Sequence, residues 1–87
     1  MKRAEILEKL LELAERVFDR VETTQGDFRG GVCRVRGQTC LFLNRAAGVD
    51  ANLRTVANAL AASGLDETYV LPALREAIDT FSDDPHR

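Results

Sequence analysis

The dipeptide Arg36-Gly37 divides two runs of β-formers, residues 32–35 and 39–43, within GVCRVRGQTCLFLN. No other feature narrows the folding of this chain as much. Glycine supplies the positive φ that a tight hairpin turn needs. If Arg36-Gly37 is a two-residue loop, the register follows: Val35 faces Gln38, Arg34 faces Thr39 and Cys33 faces Cys40. Side chains alternate along a strand. Cys33, Val35, Cys40 and Phe42 therefore share one face, and Val32, Arg34, Thr39, Leu41 and Leu43 share the other. The first set is nearly all apolar and is expected to face the core. The second is mixed and is expected to be half covered.

Helical patterns flank the hairpin. Over residues 3–19, Leu7, Leu10, Leu11, Ala14, Val17, Phe18 and Val21 follow the i, i+3, i+4, i+7 rule. Glu5 precedes Lys9 by four and Glu12 precedes Arg16 by four, the favourable order for helix ion pairs. Ile6 and Leu13 lie off the main stripe and widen the apolar face. A face this broad, on Ile6, Leu10, Leu13 and Val17, predicts self-association, because large apolar patches are rarely left open. Thr23 and Thr24 favour extended backbone, so a short first strand is expected over 20–24, followed by a turn at Gln25, Gly26 and Asp27. Asp50 suits the N-cap of a helix over 51–63, buried through Leu53, Val56, Ala57, Leu60 and Ala61, with Gly64 as its stop. Asp66 is a candidate cap for one short turn. Pro72 suits the first position of a last helix running to about Thr80. The fold class expected is α+β: an N-terminal helix, a small antiparallel sheet centred on the hairpin, and two C-terminal helices packed on one face of it.

A chain of 87 residues, 45% hydrophobic and 30% charged, has room for one globular domain. That domain is expected over 1–81, with 82–87 as a flexible polar tail. Interruption of the first apolar stretch by Glu5, Glu8, Glu12 and Glu15 rules against a signal peptide. No run approaches the ~18 apolar residues of a membrane span. A cytoplasmic location follows as the default, and there thiols usually stay reduced.

The two cysteines lack the CxxC spacing of redox motifs or zinc knuckles. A structural zinc site needs four ligands, and the only histidine, His86, lies in the tail. A Cys33–Cys40 disulfide is geometrically conceivable, but a two-residue loop makes them a hydrogen-bonded pair. Buried reduced thiols are the expected state. A serine or cysteine nucleophile needs a base, usually histidine, and none stands in an ordered context. Asp83 and Asp84 lie in the tail, and the carboxylates of the first helix are spaced for solvent. FRGGVCRVRG has neither GxGxxG nor the GK[ST] of a P-loop. The residues point to no catalytic group, no cofactor and no metal.

GGVCRVRG, then CLFLNRAAG, then TVANALAASGLDETYVLPALREAI resembles a group of small, uncharacterised bacterial proteins. They share a GG-x-C-R hairpin, an LNR strand end and a helix followed by a Pro-led helix. The similarity covers about residues 28–80 and implies no activity. The strand end LFLN at 41–44, followed by a helix with Thr55-Val56-Ala57-Asn58-Ala59-Leu60-Ala61-Ala62, is also similar to ImmA/IrrE-type metallopeptidases. Asn58 and Ala62 stand in the places of the zinc histidines and Ala59 in that of the general-base glutamate. The resemblance therefore implies a lost metal site, because alanine neither ligates zinc nor activates water.

Three functional readings follow. The leading one is a non-enzymatic cytoplasmic protein acting by contact with protein, either a homodimer through the first helix or a complex with a partner. The second is a catalytically dead zincin-like remnant or small-ligand binder, with Asn44, Arg45, Arg54, Asn58 and Tyr69 lining a polar cleft. The third is nucleic-acid contact through Arg29, Arg34 and Arg36, against which the net charge of −2 weighs.

Overall fold

A computed structural model describes residues 1–65 and 70–83. Its elements are α1 (Arg3–Val17), β1 (Arg20–Thr24), β2 (Gly31–Val35), β3 (Gln38–Asn44), a 3₁₀ turn (Arg45–Ala47), α2 (Val49–Ser63) and α3 (Pro72–Phe81). The class is α+β: an N-terminal helix, a three-stranded sheet, and two further helices packed against it. Arg36 and Gly37 both take positive φ, 53° and 83°, as a type I′ hairpin turn requires. The register is the one that turn dictates, with Val35 opposite Gln38, Arg34 opposite Thr39 and Cys33 opposite Cys40.

The sheet is mixed rather than antiparallel throughout. Its order is β1-β3-β2, and β1 runs parallel to β3, from Arg20 beside Cys40 to Thr24 beside Asn44. Residues 25–30 must then carry the chain from one edge past the end of β3 to the other edge. Two residues make that crossing close. Gly30 lies so near β3 that a Cβ on it would stand 2.7 Å from the Phe42 carbonyl oxygen, a backbone atom with nowhere to go. Asn44, at the end of β3, donates from Nδ2 to the carbonyls of Gly26 at 2.8 Å and Phe28 at 2.7 Å. Its Oδ1 accepts from the Ala46 N–H at 3.1 Å. Asn52 Nδ2, from α2, donates to the Asn44 carbonyl at 3.0 Å. One short polar network thus ties the crossing loop, the central strand and α2 together.

The hairpin faces the helices with the opposite side to the one expected. Leu41, with no exposed surface, joins Leu10, Leu13, Phe18, Leu53, Val56 and Leu60 in the core, with Val21 packed against it. Leu43 is buried on the same side. The face bearing Cys33, Val35, Cys40 and Phe42 looks away from the helices, and Cys33 and Val35 are exposed there. The correction has a physical reason. The central strand decides which face is buried, and on β3 the inward pair is two leucines. Cys33 and Val35 tilted the apolar count, but they belong to an edge strand.

Much of the breadth of α1 is used inside the molecule. Leu10, Leu13 and Ala14 are buried, and Ile6, Leu7, Leu11 and Val17 pack against the same core. The helix lies against both α2 and α3, so a two-sided contact needs an apolar face wider than one stripe. Of the residues expected to form a self-association face, Leu10 and Leu13 are in the core, while Ile6 and Val17 are half-buried against it. Gly64 ends α2 in the left-handed region at φ 75°, and Pro72 opens α3. Gly48, rather than Asp50, caps α2, and Asp50 Oδ1 accepts from Arg3 Nη1 at 2.9 Å. The tail expected from residue 82 is tied down at its start: Ser82 is buried and Asp83 bonds to α2. Asp66 and Tyr69, and residues 84–87 with His86, lie outside the described residues. Among the described residues no helix is long and apolar enough to cross a membrane.

Asn44→Ala is expected to cost about 2 kcal/mol by removing three hydrogen bonds at a nearly buried site. Asn44→Asp is expected to cost at least as much, because it retains the acceptor but turns a carboxylate oxygen toward two carbonyls. Thermal unfolding of both variants checks this; an Asn44→Asp variant that unfolds at the temperature of the parent chain would contradict it.

Candidate functional site

The chemistry-bearing residues singled out by the sequence fall in three places. Cys40 is 1% exposed in the middle of β3, whereas Cys33 is exposed directly opposite on β2. The expectation of two buried thiols therefore holds for one of them. Burial follows strand position: Cys40 has neighbours on both sides, Arg20 of β1 and Cys33 of β2, while Cys33 has only one. Arg20 and Glu22, which pair with each other, lie along the same face beside Cys40 and Phe42. Both cysteines are free thiols.

Among the described residues, the members of the expected polar cleft do not all come together. Asn44 is spent on the crossing loop, and Arg45 reaches back to the Thr23 carbonyl at 3.4 Å. Tyr69 lies outside the described residues. Only Arg54 and Asn58 come together, one turn apart on α2. Both hold Asp83: Arg54 Nε stands 3.2 Å from its Oδ1, Asn58 Nδ2 donates to its Oδ2 at 3.1 Å, and its N–H donates to Asn58 Oδ1 at 2.7 Å. The separation of Asn44 from Asn58 was not legible in the sequence, because it depends on the carbonyls that the loop turns toward Asn44.

The structure does create a groove, of about 560 Å³, between β2 and α2. One wall is the start of β2, with Gly30, Gly31 and Val32; the other is the small-residue side of α2, with Thr55, Ala59 and Ala62. Arg29, Arg54, Asn58 and Asp83 stand around it. Sequence reasoning missed the groove as a unit, because it depends on Ala59 and Ala62 of α2 standing opposite the start of β2. It runs beside a free sheet edge. A two-residue hairpin turns the N–H and C=O groups of residues 31, 33 and 35 toward β3 and those of 32 and 34 away. Thr39 confirms the alternation from the other side, since its N–H and carbonyl bond to Asp19, next to β1. Among the described residues, the outward groups of Val32 and Arg34 have no hydrogen-bond partner.

The two edges of the sheet differ. β1 carries the Arg20–Glu22 pair, and Arg45 covers it at Thr23. Charges and side-chain cover of this kind blunt an edge. On β2 the one charged side chain folds back onto its own hairpin: Arg34 Nη1 donates to Thr39 Oγ1 at 3.2 Å and Nη2 to the Gly37 carbonyl at 3.1 Å. Val32 at 45% exposure and Val35 at 40% sit along that edge, with exposed Phe28 just before it. Comparison with protein-family models, curated proteins and solved structures finds no match to this chain.

Alkylation of the native protein is expected to add one group, on Cys33, and to add a second, on Cys40, only after unfolding. Intact mass and peptide mapping read this directly; equal labelling of both thiols in the native state would contradict the burial of Cys40.

Proposed function

We propose that the protein is a non-enzymatic module, cytoplasmic in location, that acts by binding another protein through the β2 side of its sheet. The observation that carries this reading is the contrast between edges. On β1 the outward Thr23 carbonyl accepts from Arg45 and the Arg20–Glu22 pair lines the strand, whereas on β2 the outward groups of Val32 and Arg34 have no partner among the described residues and are flanked by exposed Val32 and Val35. Edge strands are usually protected because a bare edge templates pairing with another chain. The expectation of protein contact drawn from α1 thus moves to a different surface. On α1, Leu10 and Leu13 are in the core and Ile6 and Val17 are half-buried against it.

A photo-crosslinking side chain at position 35 is expected to capture a protein in the native cell, and the same group at position 8, on the exposed side of α1, is expected to capture none. Absence of any protein adduct at position 35 would sink the contact reading.

A further inference from the structure

We infer that the occupant of the β2 edge is an extended, acidic segment of a partner protein, which adds to the sheet as a fourth strand and lies in the groove against α2. The inference rests on the contact reading and specifies its chemistry. Strand addition needs an edge with free donors and acceptors at alternate residues, and Val32 and Arg34 supply them. It also needs room for the inward side chains of the added strand. The groove beside Val32 provides this, because Ala59 and Ala62 keep the facing wall of α2 low.

Charge selects the partner. Arg29 and Arg54 stand at the groove, and Arg34 and Arg36 at the hairpin end of β2. The chain already demonstrates what these groups take: the Asp83 carboxylate sits on Arg54 and Asn58 at the groove. A second copy pairing β2 with β2 would bring the arginines of both copies together, and like charges at an interface oppose association. An acidic strand instead meets them with opposite sign, and its carboxylates compete with Asp83 for Arg54.

The test uses the full chain and a labelled peptide of alternating valine and glutamate, with binding read by anisotropy and by backbone amide shifts. The glutamate peptide is expected to bind, to shift the amides of Val32 and Arg34, and to weaken as salt screens the arginines. A valine–lysine peptide is expected to bind roughly tenfold more weakly or not at all. Methylation of alternate peptide nitrogens is expected to abolish binding while leaving every charge in place. Val32→Pro is expected to do the same from the protein side, since proline is tolerated on an edge strand where the N–H faces outward. Asp83→Asn, which frees Arg54, is expected to tighten binding by about threefold, the scale of one exposed ion pair.

Equal binding of both peptides, undiminished binding of the methylated peptide, or an unchanged affinity in Asp83→Asn would overturn the inference. So would a dimer in solution with shifts at Val32, which would make the occupant a second copy, or tighter binding of a single-stranded oligonucleotide than of the glutamate peptide. The contact reading fails separately. Protein adducts at position 35 without any preference for the glutamate peptide would remove the acidic strand and leave the contact surface standing.

Discussion

The hydrogen bonds from Asn44 to the crossing loop are the constraint on which the rest of the architecture depends. The amide of one residue satisfies two carbonyls of the loop, and its own carbonyl is satisfied by Asn52 of α2. A backbone that passes closely over a strand end leaves polar groups that must find partners. Here the partners also fix which strand is central. With residues 25–30 held across its end, β3 takes the middle position and pairs on both sides. Its Leu41 and Leu43 become fully enclosed, Cys40 is buried on the far face, and β2 is left at an edge. The free edge, the exposed Cys33 and the groove beside α2 all follow from that placement.

The three helices then complete a core around one sheet face. In a domain of 87 residues the fraction of surface that can be buried is modest, on the order of 60–65%, and the chain places its leucines accordingly. Leu10 and Leu13 of α1, Leu41 of β3 and Leu53 and Leu60 of α2 meet in one cluster. Exposed ion pairs such as Arg3–Asp50 and Arg54–Asp83 add at most about 1 kcal/mol each. They orient helix ends and the residues after α3, while burial supplies the stability.

The hairpin register was legible because a two-residue turn with glycine leaves little choice, and helix ends were legible where Gly64 and Pro72 punctuate the chain. The strand over 20–24 was readable from its threonines, but its parallel pairing was not. That pairing depends on a crossing loop whose anchors, Gly30 and Asn44, act on backbone atoms distant in sequence. The buried face of the hairpin is hidden from the sequence for a related reason: an apolar pattern looks alike on both strands, although an edge strand hides far less than a central one. Much of the apolar width of α1 meets α2 and α3 within the chain, a two-sided contact that helical periodicity alone does not reveal. Of the residues expected in a polar cleft, Arg54 and Asn58 do converge, on Asp83 of the same chain, while Asn44 and Arg45 serve the loop and the β1 edge.

Amide hydrogen exchange along β2 tests the central claim most directly, because it reads the state of the edge residue by residue. An alternation is expected: slow exchange at Cys33 and Val35, whose N–H groups face β3, and fast exchange at Val32 and Arg34, whose N–H groups face outward. Uniform protection along residues 31–35 in the isolated protein would show that the edge is already paired or covered, and would contradict the free edge on which the proposed contact depends.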